Sequence, residues 1–246
     1  MSLVFTIPNA DFSNNSIGTL VPALPDNLPE GLSDAHLLLG NASISRINLV
    51  DPEEIGAWIG SPSFGENGAS ITSGSYFETS AAETDDITMM AVGYSASGGG
   101  NGANLISNGV AGVSGLLLVG NTDNQITLIY HVKTPGGSGE FNNTPALSKT
   151  AAFPSSSSMR VLTAKIDSST RTATVTTHGS GGASQSGTYT SGKVRAISSA
   201  PLALGNGGAN TFAFVAFWPR ALSPSEESAA YATIKTWLSN KGVSVI

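Results

Sequence analysis

The chain has 246 residues, with 11 Lys and Arg against 17 Asp and Glu, a formal net charge of −6 and no cysteine. Its few basic residues are scattered, which disfavours nucleic acid and anionic membranes as partners because neither phosphate surface finds a concentrated basic patch. The lack of cysteine excludes disulfides, Cys-ligated zinc and thiol catalysis.

The N-terminus, MSLVFTIPNADF, has no basic n-region and no long apolar core, so it does not read as a secretory signal. No window approaches the ~18 apolar residues of a membrane span. The expectation is a protein made in the cytoplasm, without membrane insertion. Residues 1–60 contain Pro8, Pro22, Pro25, Pro29 and Pro52 and few strand patterns. They read as an irregular arm or first layer, with short strands at 37–39 and 44–49. Residues 61–246 read as one β-sandwich domain.

From about Ser70 the pattern becomes regular. Residues 87–94 (ITMMAVGY) are almost continuously apolar and read as a central strand. Residues 116–119 form another. In 125–133 Ile126, Leu128, Tyr130 and Val132 alternate with Thr127, Ile129, His131 and Lys133, which places His131 on the outer face. Strands at 159–167 and 172–178 flank a hairpin-like connection, and strands at 202–204 and 211–218 complete the set. Gly-, Asn- and Ser-rich gaps at 96–114, 134–145 and 179–192 read as loops at sandwich edges. In the last strand Phe212, Phe214, Ala216 and Trp218 alternate with Thr211, Ala213, Val215 and Phe217, and both sets are mostly apolar. Ser223, Pro224 and Glu226 form a capping box, so a helix is predicted over about 223–240. Ala230, Tyr231, Ile234, Trp237 and Leu238 make its inner stripe, and Gly242 is its stop. Many strands with no helix between them mean an all-β antiparallel sandwich with one C-terminal α-helix.

The later part of the chain carries an ordered set of short motifs. They read Ile166-Asp167, His178-Gly179, Leu202-Ala203-Leu204-Gly205, and Trp218-Pro219-Arg220-Ala221-Leu222-Ser223-Pro224-Ser225-Glu226. Over roughly 70–240 this order resembles laminin-G-like, concanavalin A-like jelly-roll domains. His178 stands where those domains commonly have Asn, and the Trp that usually precedes the Asp-ending strand is absent. The N-terminal style and small-residue body are also similar to bacteriophage and prophage tail or fibre proteins. The resemblance implies a jelly-roll β-sandwich in a non-enzymatic virion protein that serves assembly, host-surface glycan binding, or both. The implied partners are a cell-surface glycan, other virion proteins and further copies of the chain.

The alternatives are a glycan-acting enzyme and a stand-alone bacterial carbohydrate-binding domain. Related jelly-roll glycosidases carry Glu-x-Asp-x-Glu on one strand. Here Glu83-x-Asp85 is followed by Ile87, and Asp51-x-Glu53 by Ile55, so both pairs read as turn or surface acids. Residues 187–193 (GTYTSGK) approach a Walker A loop, but Val194 stands where a Mg²⁺-ligating Ser or Thr belongs. Gly98, Gly100 and Ala103 form a degenerate dinucleotide pattern without a βαβ setting. No catalytic residue is assigned. His36, His131 and His178 are far apart in sequence, without ligand partners at metal spacing. Asn121, Asp123 and Asn124 offer clustered oxygens that calcium accepts, although a plain turn is the stronger reading. The expectation is no cofactor, with calcium as the alternative. Sugar binding needs an exposed aromatic platform beside amides. The candidates are Trp58, Tyr76, Tyr94 and Tyr130 with Asn101 and Asn104, and Tyr189 beyond them. Trp218 and Trp237 read as core.

Overall fold

A computed structural model describes residues 22–72, 74–95, 103–109, 114–120, 126–142, 146–147, 159–205 and 209–246. The elements in chain order begin with β1 (Asp34–Leu37), α1 (Ala42–Ser45), β2 (Ala57–Ile59), β3 (Ser63–Gly65), β4 (Gly68–Ile71), β5 (Tyr76–Glu78) and β6 (Ile87–Ser95). They continue with β7 (Ala103–Ser107), β8 (Leu116–Gly120), β9 (Ile126–Lys133), β10 (Gly139–Asn142), β11 (Ala146–Leu147) and β12 (Arg160–Asp167). The last are β13 (Thr172–Thr177), β14 (Ser184–Thr188), β15 (Val194–Arg195), β16 (Ala203–Leu204), β17 (Asn210–Trp218) and α2 (Pro224–Asn240).

The strands form two antiparallel sheets. The first runs β14-β13-β12-β6-β17-β4-β3, with β1 also on β17. The second runs β10-β9-β8-β7-β16-β5-β2, with β11 and β15 on β9. Strands distant in sequence lie side by side, so the sandwich closes only through long-range pairing. This is the expected all-β antiparallel sandwich with a C-terminal helix.

Two apolar layers result. One lies between the sheets and includes Phe77, Met89, Leu128, Leu162, Phe212 and Phe217. The other lies on the outer face of the first sheet, where Phe214, Trp218, Val161 and Met90 meet Ile234 and Leu238 of α2. Every residue of β17 is therefore buried. Its two faces are not the simple alternation the sequence suggests. A register shift between Phe212 and Phe214 on β6 marks a bulge. One extra residue flips the phase, so Phe212 faces the inter-sheet core while Ala213 and Phe214 both face the helix.

The terminal motif acts as a clasp. The Trp218 indole donates to the Pro29 carbonyl at 3.0 Å. Arg220 donates to the Glu30 carbonyl from Nε at 3.1 Å and from Nη2 at 2.8 Å. Thr88 Oγ1 donates to the Arg220 carbonyl and accepts from Leu222 N–H, both at 2.9 Å. Ser223 and Glu226 complete the capping box. Arg220 and the cap hold the Glu226 carboxyl at about 2, well below its ordinary value, the Arg220 bond being the largest cause. Gly242 ends the helix with φ +86°, a left-handed conformation that favours glycine.

Of the residues read as an arm or first layer, those from Asp34 onward join the sheets. β1 pairs with β17 over Asp34↔Phe217 to Leu37↔Phe214, and Trp58 of β2 pairs with Phe77 of β5. Ala35 and Leu38 are fully buried. Residues from Asp34 onward are thus part of both sheets. No strand forms at 44–49: its start belongs to the single turn α1, capped by Asn41, whose Oδ1 accepts from Ser43 N–H and Ile44 N–H, and Ile47 makes only an isolated bridge to Ile55.

Candidate functional site

The predicted aromatic platform does not assemble. Tyr130 is fully buried in the inter-sheet core, under the Arg195 guanidinium at 5.4 Å, so it presents no face to a sugar. Its phase along β9 explains this, since Leu128, Tyr130 and Val132 share the inward side. Trp58 is half-buried against Phe77 and Phe64, with ring centroids 4.7 and 5.4 Å away, and its Nε1 donates to Ser45 Oγ. Tyr76 and Tyr94 are half-buried against the inter-sheet core, on β5 of one sheet and β6 of the other. Asn104, on β7, is half-buried. Asn101 and the proposed calcium ligands Asn121, Asp123 and Asn124 lie outside the described residues, as do 96–102, 110–113 and 143–145 of the predicted binding loops. Among the described residues no three His, Asp or Glu side chains are grouped to hold a metal ion.

Two polar residues expected at the surface are buried. His131 is fully enclosed, with Nδ1 3.1 Å from the Gly115 carbonyl oxygen. Glu83 is ion-paired with Arg195, both side chains being fully buried. Its Oε2 also accepts from Asn108 Nδ2 and Ser198 N–H, each at 3.0 Å. Alternation signals and turn composition read one strand at a time, whereas both residues are covered by segments distant in sequence. Glu83 is therefore not a cleft carboxylate beside Asp85, which is exposed.

A cleft of about 660 Å³ opens instead between α2 and residues 23–27. The helix supplies Thr233, Thr236, Trp237, Asn240 and Lys241, spaced at i, i+3, i+4, i+7 and i+8 on one face. Asp26 and Asn27 stand on the opposite wall. Trp237, expected in the core, is half-buried. Its ring meets Phe214 edge-on at 5.5 Å, and the Lys241 ammonium sits 4.7 Å from its centroid. One inner edge is thus fixed by packing, while the partner above the ring is a long, exposed side chain. The wall opposite carries a carboxylate and an amide. Read as core from the inner stripe alone, Trp237 differs from a core residue in one sequence feature, its place beside Thr236 and Asn240, where the helix face turns polar.

A second depression, of about 400 Å³, lies where α2 stops short of β13 and β14. Glu227 reaches its floor and accepts from Lys165 Nζ at 3.0 Å, with His178 Nε2 3.6 Å from its other oxygen. His178 stacks on Tyr231 and sits 2.8 Å from Thr163 Oγ1. Burial lowers the His178 pKa, and Glu227 opposes that shift. Thr174 pairs with Ser186 at 2.8 Å and Thr176 with Ser184 at 2.9 Å, so the outer wall is a double row of hydroxyls.

No family model and no curated protein sequence matches the chain. Solved structures do match in fold. The botulinum neurotoxin serotype D binding domain superposes with a TM-score of 0.61 at 9% identity, over 82% of this chain and 51% of that one. The serotype D ligand-binding domain in complex with N-acetylneuraminic acid gives 0.59 at 9%, over 82% and 50%. Domain 4 of AbnA, a GH43 extracellular arabinanase from Geobacillus stearothermophilus, in complex with arabinotriose, gives 0.57 at 14%, over 81% of this chain and 98% of that one. The chain spans about half the length of the botulinum domains it matches. At these identities the likeness is one of fold: a β-sandwich shared with carbohydrate-binding domains.

Proposed function

We propose that this chain is a carbohydrate-binding β-sandwich domain whose sugar site is the cleft beside Trp237. The observation that carries the proposal is the half-buried indole, seated on Phe214, facing Asp26 and Asn27 across an open cleft. A sugar ring has an apolar C–H face and a rim of hydroxyls. The indole takes the first, displacing the Lys241 ammonium, and the amides and carboxylate take the second. A domain solved with arabinotriose, matched over 98% of its length, and a domain solved with N-acetylneuraminic acid, matched over 50% of its length, support the ligand class.

The style of the N-terminal sequence and the small-residue body support a finer reading, a phage or prophage tail or fibre component. In that setting the domain binds host-surface glycan and joins further copies or other virion proteins. Calcium at Asn121, Asp123 and Asn124 is the accompanying metal proposal, and the loops around Asn101 and Asn104 are a second proposed contact surface.

A glycan array on the full chain, wild type and Trp237→Ala, tests the site. The expected result is oligosaccharide binding that falls at least tenfold in the variant, with Trp58→Ala unaffected. Binding unchanged in Trp237→Ala would remove the cleft from the proposal.

A further inference from the structure

The helix α2 packs on β6, β12 and β17 of the first sheet. It leaves the outer face of β13 and β14 open as the depression of about 400 Å³. We infer that this depression is a second carbohydrate site, binding a neutral, hydroxyl-rich sugar chain through the free oxygen of Glu227 and the paired hydroxyls of β13 and β14. It shares the ligand class of the proposed function but none of the residues of the Trp237 cleft, so the two can fail separately.

The first observation is the carboxylate. The Glu227 side chain is only 8% exposed, and it lines the depression. Its Oε2 accepts from Lys165 Nζ at 3.0 Å. Its Oε1 accepts no hydrogen bond from the described residues. The His178 Nε2 atom, 3.6 Å away, is beyond bonding distance and lies 2.8 Å from Thr163 Oγ1. An ionised carboxylate has roughly four acceptor sites, and leaving a buried one underbonded is costly. A ligand hydroxyl is the donor that this oxygen lacks.

The second is the pattern of β13. Ala173 and Val175 point into the inter-sheet core, so Thr172, Thr174 and Thr176 share the outer face. Antiparallel pairing sets Ser186 opposite Thr174 and Ser184 opposite Thr176, and the row continues with Thr188 opposite Thr172. A hydroxyl donates once and accepts twice. The bonds within the two pairs, at 2.8 and 2.9 Å, use one proton of each pair and leave the other free. Each pair therefore presents a donor and acceptors to whatever lies over it. Successive pairs stand about 6.6 Å apart along the strand, so the contact is a repeating one, suited to a chain of rings. Thr is ordinary on an exposed strand, and the row by itself would mean little. The buried carboxylate in the same depression makes a site of it.

The third is the charge balance, which selects the ligand class. Residues 172–192 contain no Asp, Glu, Lys or Arg. Among the described residues lining the depression, the one ammonium and the one carboxylate pair with each other. Lys165 also gives a bond to the Leu222 carbonyl, so its charge is not on offer to an anion. Burial holds His178 towards its neutral form, with Glu227 opposing. An anion here meets a carboxylate without a spare cation, and a cation meets the ammonium. A neutral polyol meets neither, and its hydroxyls match the donors and acceptors present.

The test is calorimetric titration of the full chain with maltohexaose, cellohexaose, arabinotriose, a galacturonate oligomer and sodium sulfate, at low and moderate salt. Wild type is run beside Trp237→Ala, Glu227→Gln and the double variant Thr174→Val with Ser186→Ala. At least one neutral oligosaccharide should bind both wild type and Trp237→Ala, with little dependence on salt. The double variant should weaken that binding about tenfold, the scale of one or two hydrogen bonds. Its melting temperature should not change, because both hydroxyls lie on the open face. Glu227→Gln should weaken binding as much. That variant also disturbs the Lys165 pair, so the double variant separates binding from folding. Binding unchanged in the double variant overturns the inference, as does tighter binding of the galacturonate oligomer or sulfate than of every neutral sugar. Binding lost in Trp237→Ala but kept in the double variant also overturns it, and leaves the proposed function standing. The opposite pattern supports it and removes the Trp237 cleft instead. No binding of any neutral sugar overturns it outright.

Discussion

Glu227, on the first turn of the terminal helix, accepts a charge-assisted hydrogen bond from Lys165 in the middle of β12 at 3.0 Å. Both side chains are largely buried, at 8% and 15% exposure. This contact ties the helix to the sheet at the point where α2 stops covering it. Lys165 also donates to the Leu222 carbonyl at 2.9 Å, so the ammonium keeps one partner if the carboxylate is removed. Glu227→Ala is expected to destabilise the fold by about 2 kcal/mol, the scale for leaving a buried polar group underbonded. Urea unfolding checks this, and an unchanged midpoint would show the pair to be incidental.

Stability should also depend on pH through the neighbour of that pair. Burial holds the folded pKa of His178 below its ordinary value, with Glu227 pulling the other way. The unfolded chain then binds the proton more readily than the folded one. The stability contribution is complete above the unfolded value of about 6.5 and declines as pH falls through it, levelling off below the folded value. Melting temperatures from pH 8 to 5 should fall more steeply for wild type than for His178→Gln. Parallel curves would remove His178 as the cause.

The helix cap gives a third expectation. Ser223 Oγ accepts from Glu226 N–H, and Glu226 Oε2 accepts from Ser223 N–H at 2.8 Å. Ser223→Ala should cost about 1 kcal/mol. Trp237→Ala should cost about 2 kcal/mol, below the 3–5 of a fully enclosed ring, because one side of the indole faces the cleft. Chemical denaturation of both variants measures this, and a loss of 4 kcal/mol or more for Trp237→Ala would mean the ring is core.

Removing residues 1–60 should unfold the domain rather than release an arm. The deletion takes β1 from β17, Leu38 from the core, and the Pro29 and Glu30 carbonyls from Trp218 and Arg220. A cooperative melt of the truncated protein would contradict this. Light scattering on the full-length chain addresses the proposed oligomer, and a monomer at high concentration would reject it.

The hydrolysis alternative has a direct readout. Glu83 is committed to Arg195, Asn108 and Ser198, so Glu83→Gln should act on stability and not on chemistry. Release of reducing ends from polysaccharide that disappears in Glu83→Gln, with the fold intact, would favour the enzyme reading.

Local rules carried the class of fold and the terminal helix. Period-two alternation marked β9, a run apolar on both faces marked β17, and the Ser223-Pro224-Ser225-Glu226 string fixed where α2 begins, because capping is settled within four residues. The same rules failed wherever burial depends on distant segments. The bulge that puts Phe212 and Phe214 on opposite sides is set by pairing with β6. Tyr130, His131 and Glu83 are enclosed by strands and loops remote in sequence, including Tyr189, Gly115 and Arg195. The proposed sugar site is of that kind. Trp237 becomes a platform only because residues 23–27 stand across from the helix. Alternation and capping are properties of neighbouring residues, so the sequence by itself determined them. Which faces stay open depends on which strands end side by side, and only the tertiary structure decides that.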